Sequence, residues 1–275
     1  MIRSNGGAAF ASGALLFGFA FLYAPIALLV LYSFNASRLV AVWAGFSTHW
    51  YGALLADDQF RNAAATSLEV ATMAASLALV LGTLGGFAMA RFTRFPGRRL
   101  FGFALLAPLV VPEIILGLSL LLFFVASQEL IGWPARRGVV TITIAHASFA
   151  ASFVAVLVRA QLALFDRSLE EAALDLGARP WAVLARVTLP GIRPALISGW
   201  LLAFTLSLDD LVVASFVTGP SATTLPMAVF SSVRLGVSPE VNALATVFLG
   251  VVFVLVAAAF ALMAQQQRRQ TRASP

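Results

Sequence analysis

Residues 164–196 read LFDRSLEEAALDLGARPWAVLARVTLPGIRPAL and connect two long apolar segments of the chain. The stretch predicts two short helices broken at Gly177, because Ser168-x-x-Glu171 has the spacing of a capping box and Pro180 suits the first turn of a second helix. Two such helices form an ordered loop, and a loop of this kind can dock in a groove on a partner protein.

The segments on either side of this loop are too apolar for a soluble domain. The 275 residues are 60% hydrophobic and 11% charged, with a mean hydropathy of +0.93, whereas charged residues make up about a quarter of ordinary globular domains. Crossing about 30 Å of hydrocarbon takes roughly 20 apolar residues. Stretches of that length predict an all-α membrane protein, a single domain over 1–275, with six helices at about 10–34, 62–90, 100–126, 139–164, 192–218 and 241–264 and the helical loop at about 166–190. The first apolar stretch is too long for a signal-peptide core, so we expect it to be retained.

The distribution of arginine predicts the orientation of these helices. All 18 basic residues are Arg, since the chain contains no Lys. With the N-terminus in the cytoplasm, 13 of them fall on the cytoplasmic side and 5 on the other, so the positive-inside rule places both termini in the cytoplasm. The net charge of +6 then reflects topology. A nucleic-acid partner is disfavoured, because the arginines are scattered over loops without an aromatic platform.

Two outer segments carry local signals. Trp43, Trp50 and Tyr51 lie in 35–61 and suit an aromatic belt at the membrane interface. A short apolar piece at 225–233 is expected to form a helix at the same interface.

The loop at 166–190 resembles the EAA loop of ABC importer permeases. The matching positions are Glu171, Ala172, Ala173, Gly177, Val187, Leu189 and Pro190, at the family's spacing and with Val187 where Ile is commoner. The resemblance implies a type I importer permease whose loop inserts into a cleft of a cytoplasmic ATPase.

A second resemblance concerns residues 199–247, GWLLAFTLSLDDLVVASFVTGPSATTLPMAVFSSVRLGVSPEVNALATV. They are similar to the polyamine branch of these permeases, and most closely to the second permease subunit of putrescine importers. Membership implies a bacterial inner-membrane subunit that works with a second, non-identical permease, two copies of an ATPase and a periplasmic polyamine-binding protein. ATP and Mg would be bound by the ATPase, because a P-loop requires Lys and this chain has none. The chain is thus expected to be a transport subunit, not an enzyme, with no cofactor of its own.

Acidic residues within the predicted spans are the candidates for a cation path. By the boundaries above, four carboxylates and no Arg lie within membrane cores: Glu69, Glu113, Asp209 and Asp210. Buried charges of this kind need a partner, water or a ligand, and a diamine would be matched by carboxylates from separate helices. Consecutive helical residues point about 100° apart, so one of Asp209 and Asp210 is expected to be structural, either capping a broken helix or pairing with the partner permease.

The remaining polar residues carry weaker signals. His146 is expected to make an interhelical hydrogen bond. Two histidines in different environments and no Cys argue against a metal site. No serine-histidine-acid set stands out, so no catalytic residue is predicted.

Three classes of alternative stay open at this point. Within the ABC importers, a spermidine-preferring system fits the same resemblance, with importers of iron or other cations further behind. A secondary transporter would use the intramembrane carboxylates to carry protons or sodium ions, although we find no inverted repeat. A cation channel lined by acidic rings is the third.

Overall fold

A computed structural model describes residues 5–39, 42–220, 222–235, 239–250 and 253–254, with side chains from residue 10 onward. Among these residues the regular structure is helical, with one β-bridge between Asn35 and Phe46. The chain divides into two compact units, Met1–Phe60 with Val229–Pro275, and Arg61–Ala228. The expectation of a single domain over 1–275 stays a prediction.

The first unit contains helices α1 (Asn5–Ser33) and α2 (His49–Ala56). Helix α1 is apolar on every side, and Leu16, Phe17 and Phe21 are each more than 70% exposed. A helix that is apolar all round and packs few of its side chains within its own chain is typical of a segment surrounded by lipid or by another subunit. This helix contains the first predicted span.

The connection between α1 and α2 is organised by Asn35. Its side chain donates to the carbonyl of Val42 at 2.7 Å and accepts from the amide of Ala44 at 2.9 Å, and its own carbonyl accepts from Trp50 Nε1 at 2.7 Å. Trp50 is buried, so the prediction that it anchors the chain in the interface is wrong. The indole N–H found a partner in the folded loop instead, while Trp43 is 47% exposed.

The chain continues through ten further α-helices over the described residues 58–235. They are α3 (Asp58–Arg91), α4 (Arg98–Leu106), α5 (Glu113–Ile131), α6 (Val139–Leu164), α7 (Ser168–Asp175), α8 (Pro180–Val183), α9 (Leu189–Gly191), α10 (Arg193–Leu208), α11 (Val212–Val217) and α12 (Leu225–Leu235). A π-helical turn, Leu184–Thr188, joins α8 to α9. The interfacial helix predicted at 225–233 corresponds to α12.

Small residues bring α3 and α6 together at the centre of the second unit. A Cβ added at Gly82 would lie 2.6 Å from the carbonyl oxygen of Ala151, and one at Gly86 would lie 2.6 Å from that of Ala155. Only glycine permits backbones to approach this closely, as in other helix pairs within membranes. The two helices run in the same direction, because the contact partner moves from Ala151 to Ala155 as the glycine moves from Gly82 to Gly86.

Two predicted spans are broken in the structure. The span at 100–126 is divided into α4 and α5 by a 3-10 turn, Ala107–Leu109, and an extended Pro112, since proline removes a helical hydrogen bond and disfavours the helical conformation of the residue before it. The span at 192–218 is divided into α10 and α11 at residues 209–211, where the chain has neither Pro nor Gly.

Four of the described helices are long and apolar enough to cross a membrane, and the pair Pro180–Gly191 and Arg193–Leu208, bent by 72°, makes a fifth if it is counted as one span. This is the composition of a multi-pass membrane protein. In the sixth predicted span, 241–264, residues up to 250 are helical, whereas 251–252 and 255–264 lie outside the described residues. The count of six stays a prediction.

The two short helices predicted around Gly177 are confirmed. Helix α7 ends before Gly177, whose φ of +83° suits glycine, and Pro180 is the first residue of α8. The predicted capping box is wrong. Ser168 lies inside α7 as its first residue, and its amide donates instead to the carboxylate of Asp166 at 2.9 Å.

Candidate functional site: two pairs of adjacent acids

One end of the helices of the second unit is defined by two hydrogen bonds. The hydroxyl of Thr141, at the start of α6, donates to the carbonyl of Val217 at 2.7 Å, and the hydroxyl of Ser67, near the start of α3, accepts from the amide of Leu225 at 2.7 Å. We call this the Ser67 end. Helix α6 begins there, α11 ends there, and α3 passes through this level at Ser67, its tenth residue.

The first acidic pair lies at the break between α10 and α11, and its second member is buried. Asp210 Oδ1 accepts from the amide of Ala214 in the first turn of α11 at 2.8 Å. His146 Nε2 lies 3.1 Å from the same oxygen, which is within ion-pair distance, but the angle does not suit a hydrogen bond. The other ring nitrogen, His146 Nδ1, is 2.7 Å from Ser207 Oγ. His146 has no exposed surface, and the Asp210 side chain is 5% exposed. Asp210 therefore caps α11 and is held from α6.

This cluster settles the role of His146 and adds a feature that the sequence did not predict. The expected interhelical hydrogen bond of His146 is confirmed. A serine, a histidine and an acid do come together, although no such set was predicted. Ser207 is separated from His146 by 61 residues, so no local pattern in the sequence connects them. Ser207 is 4% exposed and bonded to the ring, so the set offers no accessible nucleophile.

The other three candidate acids, Asp209, Glu113 and Glu69, are exposed on the surface of this chain. Asp209 is the first residue of the break, next to the buried Asp210. Glu113 is the first residue of α5. In this isolated chain they face outward, where a neighbouring subunit, water or a ligand would meet them.

Packing between α5 and α11 places Glu113 at the depth of the break. A Cβ at Gly117 would lie 2.6 Å from the ring of Phe216, so these two residues are level. Both helices run toward the Ser67 end. Four residues before Gly117 and Phe216, which is one helical turn, Glu113 is therefore level with Val212. Val212 comes three residues after Asp209. Glu69 comes two residues after Ser67 in α3, about 3 Å along the helix at a rise of about 1.5 Å per residue, and is therefore the candidate acid nearest that end.

The second acidic pair lies at the opposite end, which we call the Arg91 end. Glu170 Oε1 lies 2.9 Å from Arg91 Nη2 and accepts from the hydroxyl of Thr188 at 2.7 Å, and Arg91 Nη1 donates to the carbonyl of Leu162 at 3.3 Å. The side chains of Arg91 and Glu170 are 10% and 15% exposed. Glu170 thus ties the loop between α6 and α10 to the last turns of α3 and α6.

The neighbouring Glu171 is exposed, as are Ala172 and Gly177. Large apolar side chains are exposed on the same loop: Leu169, Leu174, Leu176 and Trp181. A cavity of about 380 Å³ lies behind the loop, between Phe87 of α3 and Trp181 of α8. Glu170 was not predicted as a site residue, although the divergence of adjacent helical residues, applied above to Asp209 and Asp210, predicts one inward acid here as well.

Arg159 lies inside the predicted span 139–164, near its Arg91 end. It is part of α6, five residues before the end of that helix at Leu164. This position lies about 7.5 Å from the Arg91 end of the helix.

Residues 82–272 match the family described as the binding-protein-dependent transport system inner membrane component. The chain belongs to this family. It is 58% identical to the putrescine transport system permease protein PotI of Escherichia coli strain K12, over 94% of this chain and 92% of that protein. It is 42% identical to the spermidine/putrescine transport system permease protein PotC of the same strain, over 87% and 88%.

A solved structure has the same fold. It is that of a bacterial ABC transporter involved in the import of the acidic polysaccharide alginate, with a TM-score of 0.71 over 96% of this chain and 98% of that chain, at 20% identity. The type I ABC permease fold expected from the loop is confirmed. Members of this family are transport subunits, not enzymes.

Proposed function

We propose that this chain is the permease subunit of an ATP-driven importer that moves putrescine from a periplasmic binding protein into the cytoplasm. The observation that carries this is the 58% identity to PotI over nearly the full length of both chains, against 42% to PotC. A spermidine-preferring importer is the second candidate, and the difference in identity disfavours it.

The proposed arrangement has six spans in a bacterial inner membrane, with both termini in the cytoplasm. The Arg91 end is then cytoplasmic and the Ser67 end periplasmic. A second, non-identical permease completes the membrane path, and two copies of an ABC ATPase bind ATP and Mg from the cytoplasmic side. Support comes from the arginine distribution and the family.

The loop at 166–190 is proposed as the contact to the ATPase. Its outward side carries Trp181 and the exposed Glu171, and its inward side is fixed by Glu170 to Arg91. Movement of a docked ATPase would therefore pass directly to α3 and α6 as a rigid-body displacement. The contact residues we propose are Glu171, Ala172, Ala173, Gly177, Val187, Leu189 and Pro190.

The exposed acids are proposed to line the cation path. Glu113 is level with the start of α11 and Asp209 lies three residues before that start, whereas Glu69 lies nearer the periplasmic end. Two carboxylates at different positions suit a diamine, which carries a positive charge at each end. Asp210 is assigned a supporting role, because its carboxylate is committed to α11 and His146.

Reconstitution of the complete complex with its binding protein in proteoliposomes tests the proposal. We expect ATP-dependent uptake of labelled putrescine that excess spermidine competes with only weakly. Stronger competition by spermidine than by unlabelled putrescine would favour the second candidate. Uptake that continues without ATP but collapses with the ion gradient would instead indicate a secondary transporter.

A further inference from the structure

A cleft between α3, α4 and α6 at the Arg91 end has no role in the function proposed above. It encloses about 390 Å³ and is lined by Met89, Gly102, Leu105, Ala155, Arg159 and Ala163, among others. Every lining side chain apart from Arg159 is apolar. The volume is within the range of small-ligand sites.

Arg159 is exposed at this cleft and has no hydrogen-bond or ion-pair partner among the described residues. At about 7.5 Å from the end of α6, its long side chain can place the guanidinium at the level of lipid headgroups while its stem stays in the apolar region. An unpaired Arg at that depth is complementary to an anion at the membrane surface.

Helix α4 forms one wall of the cleft. Like Arg159 and the apolar lining of the cleft, it combines basic side chains near the Arg91 end with an exposed apolar surface. Arg99 lies in its first turn, after the loop that carries Arg94, and both are exposed, whereas Leu100 and Phe103 on the same helix are 73% exposed. Arg98 is committed to the fold, since it donates to the carbonyls of Met89 and Phe92. Helix α4 therefore has basic residues at one end and apolar side chains exposed along it.

We propose that this cleft binds one anionic phospholipid of the cytoplasmic leaflet, with an acyl chain between α4 and α6 and the phosphate at Arg159. The apolar lining favours a lipid over free phosphate, which would have only the guanidinium to bind. The leaflet assignment rests on the proposed orientation, whereas binding itself does not.

The test uses the complete complex in nanodiscs of phosphatidylcholine with a minor fraction of phosphatidylglycerol, followed by native mass spectrometry of the lipid that stays bound. We expect phosphatidylglycerol to be retained preferentially. Arg159→Gln should lower its retention about fivefold, the effect of one Arg near an anionic surface. Arg159→Lys should keep most of it.

Two further variants separate the charge from the cleft. Ala160→Phe should fill the cleft and lower retention with Arg159 intact, and Arg136→Gln, an exposed arginine outside the cleft, should leave it unchanged. Equal retention in wild type, Arg159→Gln and Ala160→Phe would overturn the proposal. So would displacement of the lipid by inorganic phosphate alone.

Coverage by a neighbouring subunit is checked with Ala160→Cys, which adds the only thiol in a chain that has no cysteine. In the complete complex we expect a lipid-soluble maleimide to label it. A thiol that is unreactive there but reactive in the isolated chain would show that another subunit occupies the cleft, and the proposal would fail. Uptake of putrescine is measured separately, so this failure leaves the proposed transport function intact.

Discussion

The two acidic pairs, Asp209-Asp210 and Glu170-Glu171, lie at different depths and divide their roles in the same way. In each pair one carboxylate is turned inward, where it receives a hydroxyl or amide donor and contacts a basic side chain: Asp210 with Ala214 and His146, Glu170 with Thr188 and Arg91. Its neighbour is exposed. The pairs differ in what the inner acid holds, since Asp210 stabilises a break within one span and Glu170 joins a loop to two other helices.

The largest expected effect is on stability when Glu170 loses its charge. Glu170→Gln leaves Arg91 without a counter-ion in a mostly buried site, and we expect a loss of about 3 kcal/mol. The thermal unfolding temperature of the detergent-solubilised complex should then fall by roughly 6 to 12 °C. Glu171→Gln is the matched control, which should unfold as wild type does but retain less ATPase on purification. Equal destabilisation by both changes would remove the distinction within this pair.

The corresponding change at the inner acid of the other pair should have a smaller effect. Asp210→Ala removes the acceptor for the Ala214 amide and the contact with His146, and a lost helix cap costs up to about 2 kcal/mol. Hydrogen exchange at the amide of Ala214 should accelerate, whereas Asp210→Asn keeps an acceptor oxygen and should slow this exchange again. If Asp210→Ala leaves the exchange rate unchanged, Asp210 does not cap α11.

The outer acid of that pair should affect transport without affecting stability. For Asp209→Asn we expect ATP-dependent putrescine uptake to fall about tenfold, equivalent to about 1.4 kcal/mol, because one carboxylate facing the cation is neutralised. The unfolding temperature should not change. Glu113→Gln should reduce uptake in the same direction, and Glu129→Gln, an exposed acid later in α5, serves as the control. Wild-type uptake in Asp209→Asn and Glu113→Gln would exclude these acids from the path.

The smallest effect concerns Asp166, which precedes the loop helix α7. Hydrogen bonds from the amide and hydroxyl of Ser168 hold the pKa of this exposed carboxylate below its usual value of 3.8. Because this pKa is lower in the folded state, the carboxylate stabilises the start of α7 fully above the unfolded value of 3.8, and the contribution is lost as the pH falls through the lower folded pKa. Exchange of the Ser168 amide should rise relative to that of other α7 amides on acidification, and Asp166→Asn should lose this dependence.

The fold could be predicted from sequence further than the site could. Long apolar stretches indicated the spans, and the spacing around Gly177 predicted α7 and α8. The broken spans were harder. Pro108 and Pro112 lie inside 100–126 and give a visible reason for its interruption, but the break after Leu208 depends on a cap from Asp210 and a contact from His146, 64 residues away along the chain.

The polar contacts were predicted only in part. The divergence of adjacent helical residues correctly indicated that one of two aspartates is structural, but which one depends on where His146 lies in space. Trp50 was misassigned for a related reason, because its partner Asn35 is fixed by the folding of a whole loop. Contacts between distant residues leave no periodic signal in the sequence.

The break between α10 and α11 has an evolutionary consequence, since neither proline nor glycine occurs in residues 206–216. A break encoded by proline is difficult to lose, because the ring forbids the helix whatever surrounds it. One maintained by a side-chain cap can be weakened or restored by single substitutions at Asp210 or His146 while the backbone remains free to be helical. Lineages of such permeases could therefore adjust the stiffness of this span in small steps, without passing through an unfolded intermediate.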